Sequence, residues 1–166
     1  SVIELLGNDY RTYSMFPVGR LDIDTEGLLI LTNDGMLTHN LLAPNKHVNK
    51  KYYVELKNPV SQSDIEKLEK GIELENGFIT KDAKIEVIEN ADIPINKKTG
   101  ERTVSKAYIT ITEGKYHQVK RMFKAVDNKV IYLKRIQMGK LKLDEKLKTG
   151  EYRELTENEI KILKNN

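Results

Sequence analysis

The sequence predicts an α+β fold with a mixed, mostly antiparallel sheet flanked by short helices. Three observations carry this prediction. Segments of alternating apolar residues outnumber segments of helical period, the two kinds do not alternate regularly along the chain, and the helical segments are short. At 166 residues the chain is expected to be one domain, or two small lobes around a cleft.

Taken in order, Phe16–Val18 is a short apolar segment, and the stretch from Gly19 to Gly27 is polar and turn-rich. Leu28–Leu31 is an apolar run with the length of a buried strand. Thr32-Asn33-Asp34-Gly35 then offers a turn and a helix N-cap, and Met36–Ala43 reads as a short helix stopped by Pro44. Tyr52–Leu56 alternates as a strand does. Ser63-Asp64-Ile65-Glu66 has the pattern of a capping box and opens a helix with Ile65, Leu68 and Ile72 on one face, Gly71 lying near its end. Ala83–Ile88 and Ala107–Thr112 alternate as strands, and Ala91–Arg102 between them reads as a loop. His117–Ala125 is a short helix entered from the Glu113-Gly114 turn. Asp127-Asn128 turns the chain into a strand at Val130–Leu133, and Leu141–Leu147 is weakly patterned. Thr156-Glu157-Asn158-Glu159 is a second capping box before a final helix holding Ile160 and Leu163.

Composition narrows the chemistry. There is no cysteine, which excludes disulfides, thiolate metal sites and a cysteine nucleophile, and fits a reducing compartment. The first residues do not form a signal peptide, and no apolar run reaches the ~18 residues of a membrane span, so a cytoplasmic setting is expected. The net charge of +3 hides an asymmetry: residues 1–96 carry 10 Lys/Arg against 16 Asp/Glu, and residues 97–166 carry 18 against 9. Lys115–Lys142 alone holds nine basic residues and a single acidic one, Asp127. A solvated lysine-rich surface and a polyanion-binding face both fit that concentration.

The acidic segment Arg20-Leu21-Asp22-Ile23-Asp24-Thr25-Glu26-Gly27 admits several readings. As a calcium loop it places carboxylates at positions 1, 3 and 5 and glycine at 6, but Asn33 stands where the bidentate Glu belongs. As an aspartyl-phosphate phosphatase it lacks the buried apolar strand before Asp22 and has Glu26 where Thr or Val is wanted. As a lone carboxylate used against a nucleotide, Asp22 sits on a loop just before a buried segment, where a scaffold holds a side chain rigidly. The plainest reading is that Asp22 and Asp24 cap a turn and pair with Arg20.

A second motif weighs among these. Glu113-Gly114-Lys115-Tyr116-His117-Gln118-Val119-Lys120-Arg121-Met122-Phe123 places cations and aromatics at the start of a helix. Gln118, Arg121 and Met122 share one side of it, and His117, Lys120, Arg121 and Lys124 another. Such a face binds phosphates, though Val119, Met122 and Phe123 also suit a core.

Together, Phe16 through Gly35, Asn49-Lys50-Lys51-Tyr52-Tyr53-Val54 and Gly114 through Phe123 resemble the signature motifs of the RsuA/RluB/E/F-type ribosomal-RNA pseudouridine synthases, and the Lys-Tyr-His-Gln-Val-Lys-Arg-Met-Phe version is most similar to the small-subunit (16S) branch. The resemblance runs over roughly residues 1–160. It implies an isomerase that converts a specific uridine of ribosomal RNA, naked or in a precursor particle, into pseudouridine. It implies Asp22 as the catalytic aspartate, with Arg20 and Leu21 opening the RNA stack and shaping the pocket. Tyr52 would stack on the target uracil, and Lys120, with Arg121 as second choice, would pair with Asp22. Lys115, His117, Gln118, Arg121 and Lys124 are the expected RNA contacts. The family uses neither cofactor nor metal, and a monomer is expected. Family members usually begin with a small S4-like RNA-binding domain and a first catalytic strand. The sequence departs from that pattern, so residues 1–166 are expected to be the catalytic domain alone.

Overall fold

Eight strands and four α-helices form from the described residues of a computed structural model, which are 1–90, 97, 98, 100, 101 and 103–165. The strands are β1 (Phe16–Pro17), β2 (Glu26–Gly27), β3 (Leu31–Thr32), β4 (Lys50–Leu56), β5 (Lys84–Asn90), β6 (Ser105–Ile111), β7 (Val130–Met138) and β8 (Leu141–Lys142). The helices are α1 (Gly35–Leu42), α2 (Gln62–Lys70), α3 (Gln118–Lys124) and α4 (Glu157–Lys164). The main sheet runs β2-β7-β4-β6-β5, with β8 beside β7. Only the β2–β7 pairing in it is parallel, so the expected mixed, mostly antiparallel α+β architecture is what forms. A separate two-stranded ribbon joins β1 to β3.

Alternation along the central strands decides what is buried. Val54 and Leu56 of β4, Ala107, Ile109 and Ile111 of β6, and Leu133 of β7 face one way. They pack against Val119, Met122 and Phe123 of α3 and Leu68 of α2, which brings α3 onto the sheet. A second cluster, with Val18, Ile30, Leu41, Met138 and Leu163, fixes the ribbon and α4 to the far end of β7. The other sheet face carries Tyr53 in edge contact with Tyr108 and Tyr132, ring centroids 6.1 Å apart in each pair.

Three local expectations need correction. Leu28–Leu31 is not one strand, because the run passes from one sheet to the other. Leu28 N donates to the Arg135 carbonyl at 2.7 Å, whereas the Ile30 carbonyl accepts from Val18 N at 2.7 Å. Gly27 makes the departure possible: its φ is +114°, and a Cβ there would lie 2.1 Å from the Arg135 carbonyl oxygen. The first capping box is built two residues early. The Ser61 hydroxyl accepts from Asp64 N and the Asp64 carboxylate accepts from Ser61 N, both at 3.0 Å, so Asp64 takes the place read for Glu66. The strand read as Val130–Leu133 continues to Met138, because Lys134 and Arg135 go on pairing with β2 and β4 despite their charge. The Thr156/Glu159 box forms as read. The loop expected at Ala91–Arg102 falls largely outside the described residues. No helix among the described residues is long and apolar enough to cross a membrane.

Candidate active site

The parallel pairing of β2 with β7 anchors the acidic segment. Just before it the chain turns, Thr25 N donating to the Asp22 carbonyl at 2.9 Å. That turn faces the start of α3, whose place is set by burial of Val119, Met122 and Phe123. The chain enters α3 through His117, which is in the left-handed region at φ 49°.

Asp22 is half-buried, its side chain 28% exposed, and sits between two nitrogen groups. His117 Nε2 lies 3.4 Å from Oδ1 and the Lys120 ammonium 3.4 Å from Oδ2. Lys120 also donates to Asp24 Oδ1 at 2.6 Å, although the Asp24 side chain is 74% exposed. Burial works against the Lys120 charge, but its contacts with Asp24 and Asp22 outweigh it and hold the ammonium above its ordinary pKa. The same hydrogen bond from Lys120 holds the Asp24 carboxyl below the usual carboxylate range.

The third carboxylate turns elsewhere. Glu26 accepts from the Tyr132 hydroxyl at 2.7 Å and pairs with Lys98. Asp22, Asp24 and Glu26 therefore do not converge as a calcium loop requires, and among the described residues no three acidic or imidazole groups gather as metal ligands.

The basic helix divides its residues between surface and interior. Lys115 and Lys124 are exposed, Lys115 lying over the Phe78 ring at 5.2 Å. Tyr116 is 71% exposed and stacks on His117, with centroids 3.8 Å apart. Arg121 is engaged already, its Nε 2.6 Å from Glu75 and its Nη1 donating to the Tyr116 carbonyl at 3.0 Å. Lys120, not Arg121, is thus the cation at Asp22. Gln118, expected among the RNA contacts, is buried. Its amide donates to Glu113 at 2.7 Å and its carbonyl accepts from Lys115 N at 3.2 Å, so it shapes the turn from within.

Arg20 is exposed and Leu21 half-buried beside Asp22. Tyr52 is half-buried, packs against the main core from β4, and stands opposite Arg135 of β7. Two buried cations on that sheet face, Lys50 and Arg135, escaped notice in the sequence. Each lies in the inward phase of its strand, a signal that the alternation carried.

Comparison with known proteins shows the family and the fold. The profile of the RNA pseudouridylate synthase family matches residues 2–125. An uncharacterized RNA pseudouridine synthase, YtzG of Bacillus subtilis (strain 168), is 52% identical over 163 residues, covering 98% of this chain and 64% of the relative. Ribosomal small subunit pseudouridine synthase A of Salmonella typhimurium is 44% identical over 149 residues, covering 89% of this chain and 58% of the relative. The chain thus spans under two thirds of the length of these relatives. A crystal structure of a pseudouridylate synthase superposes with a TM-score of 0.85 at 37% identity, over 98% of this chain and 65% of that one. An archaeal box H/ACA Nop10–Cbf5 complex, at 20% identity and a TM-score of 0.51, over 87% of this chain and 43% of that one, shares the fold alone.

Proposed function

The chain belongs to the RNA pseudouridylate synthase family, and from that premise we propose that residues 1–166 are a catalytic domain that isomerises a uridine of small-subunit ribosomal RNA to pseudouridine. The observation that carries the reading is the half-buried Asp22 carboxylate held between His117 and Lys120, 3.4 Å from each. The choice of small-subunit RNA is supported by the name of the Salmonella relative and by the Lys115–Phe123 motif.

The chemistry asks for little more than such a carboxylate. The N1–C1′ bond breaks, the uracil turns, and C5 joins C1′, so substrate and product are isomers and no redox group or energy source is consumed. Asp22 attacks C1′ or C6, or removes the proton beside C1′. Lys120 keeps a negative charge favourable next to RNA phosphates, which would otherwise repel it. The target base must leave its stack, at a cost of a few kcal/mol, and stacking on Tyr52, worth about 1–3 kcal/mol, offsets it. Lys115 and Lys124 supply sequence-independent attraction to the backbone.

The test is incubation of 16S ribosomal RNA with the wild-type chain and with Asp22→Asn, followed by chemical mapping of pseudouridine. A new pseudouridine with wild type and none with Asp22→Asn is expected. Bound RNA with no pseudouridine in either case would leave an RNA-binding module in place of an enzyme.

A further inference from the structure

Lys50 and Arg135 are 5% and 3% exposed, yet both side chains are cationic. Lys50 is in phase with Tyr52, Val54 and Leu56 on β4, and Arg135 is in phase with Leu133 on β7 and opposite Tyr52. The Lys50 ammonium reaches one acceptor, the Thr112 carbonyl, at 3.5 Å. Arg135 Nε donates to the Leu28 carbonyl at 2.9 Å, while its Nη2 is buried with no acceptor. Among the described residues neither cation has a carboxylate at ion-pair distance. Burial and the charge of Arg135 bring the Lys50 ammonium down to about 8.

Buried charges without counterions are strongly destabilising, and an apolar residue at position 50 would continue the pattern of Val54 and Leu56. Both cations also touch segments that build the site. Thr112 directly precedes the turn into α3, and Leu28 directly follows β2, which anchors the Asp22 turn.

Resting on the uridine reading above, we propose that Lys50 and Arg135 maintain a positive potential beside Tyr52 that stabilises the uracil anion while the base is detached. When the N1–C1′ bond breaks, its electron pair leaves with N1. The base then carries one negative charge shared over N1, O2 and O4, and C1′ is satisfied by the Asp22 carboxylate or by loss of the adjacent C2′ proton. After the base turns, C5 gives an electron pair to C1′ as the Asp22 carboxylate leaves it, or as C2′ regains its proton; the C5 proton is then lost and N1 takes up a proton. The charge exists only between bond breaking and bond making. Fixed cations in a low-dielectric interior therefore favour the transition state over bound uridine.

The experiment is single-turnover isomerisation at saturating 16S ribosomal RNA, with RNA affinity and Tm measured in parallel, for wild type, Lys50→Met and Lys50→Arg. Lys50→Met is expected to keep or raise Tm, to bind RNA as wild type does, and to isomerise about 10²-fold more slowly. Lys50→Arg, which keeps the charge, is expected to recover at least about tenfold of that loss. Three results overturn the proposal: an unchanged rate in Lys50→Met, a rate loss that follows a fall in Tm and is not recovered by Arg, or weakened RNA binding at an unchanged rate. The last would assign the cations to an RNA phosphate. If Lys50→Met does not fold, Lys50→Gln is read on the same criteria. A wild-type chain without turnover removes the uridine reading and this proposal with it, whereas an active wild type with an unaffected Lys50→Met removes this proposal alone.

Discussion

The Lys120 ammonium lies 3.4 Å from Asp22 Oδ2, across the gap between α3 and the turn before β2. It lies closer still to Asp24, at 2.6 Å, so distance alone does not say which carboxylate matters. Exposure separates them, with side chains 28% and 74% exposed. An exposed ion pair contributes about 0–1 kcal/mol, and a carboxylate in open solvent has no fixed position for chemistry. Asp24→Asn is therefore expected to stay within about tenfold of wild type in single-turnover rate, while Asp22→Asn loses about 10³-fold or more. Equal losses would move the chemistry to Asp24.

Tyr52 packs against the core yet is only half-buried, as a stacking platform must be. Tyr52→Phe keeps the ring and is expected to retain turnover, whereas Tyr52→Ala loses the roughly 1–3 kcal/mol of stacking, which appears in the rate with saturating RNA. Since Tyr52 also packs on core residues, the Tm of both variants is measured alongside. A Phe variant as slow as the Ala variant would make the hydroxyl, not the ring face, the working part.

The basic stretch does not act as one surface. Lys115 and Lys124 are exposed around α3, whereas Lys134 lies in the outward phase of β7 with Tyr132, beside Glu26. Replacing Lys115 and Lys124 by Ala is expected to flatten the dependence of log affinity on log salt by about 0.7 for each phosphate contact removed. Lys134→Ala is expected to leave that slope unchanged. A slope indifferent to Lys115 and Lys124 would place the RNA elsewhere.

Alternation makes most strands legible, and two of its inward positions carry cations. Lys50 and Arg135 stand at inward positions of β4 and β7, where a cation contradicts its neighbours. Such a contradiction is what a functional constraint produces when stability alone would choose otherwise. The strand from Val130 runs past Leu133 to Met138 because the charged Lys134 and Arg135 keep pairing with β4. Leu28–Leu31 misled in the opposite direction. Leu28 and Ile30 pack into one cluster while the backbone changes sheets after Gly27, and a side-chain pattern does not report which strand a backbone pairs with. The box is built on Ser61 with Asp64 at N3 and not on Ser63 with Glu66, a choice between neighbouring Ser-x-x-acid patterns that local propensity does not make. Nor did spacing bring Asp22 to Lys120. That juxtaposition came from family resemblance, because contacts between α3 and a distant turn depend on how the sheet between them pairs.

Acid should loosen the C-terminal helix before the rest of the fold. Arg153 donates from Nη1 and Nη2 to the two oxygens of Glu159 at 2.8 and 2.9 Å, and from Nε to Asp144 at 2.8 Å. Glu159 also accepts from Thr156 N at 2.9 Å, so one carboxylate serves both the ion pair and the helix cap. The hydrogen bond from Arg153, then that from Thr156, pulls the Glu159 carboxyl from 4.5 to about 2. The folded state therefore holds the charged form more tightly than the unfolded chain does. Its contribution is fully present above the unfolded value of 4.5 and is lost as pH falls through that value toward about 2. The groups lie near the surface, which limits the contribution to about 1 kcal/mol. Glu159→Gln is expected to lower Tm by a constant amount above about pH 5, with the difference from wild type closing as pH falls toward 2. Thermal melts of both proteins across that range test this. A difference that stays the same down to pH 2 would mean that the carboxylate's charge contributes nothing and that only its shape and its cap hydrogen bond hold α4.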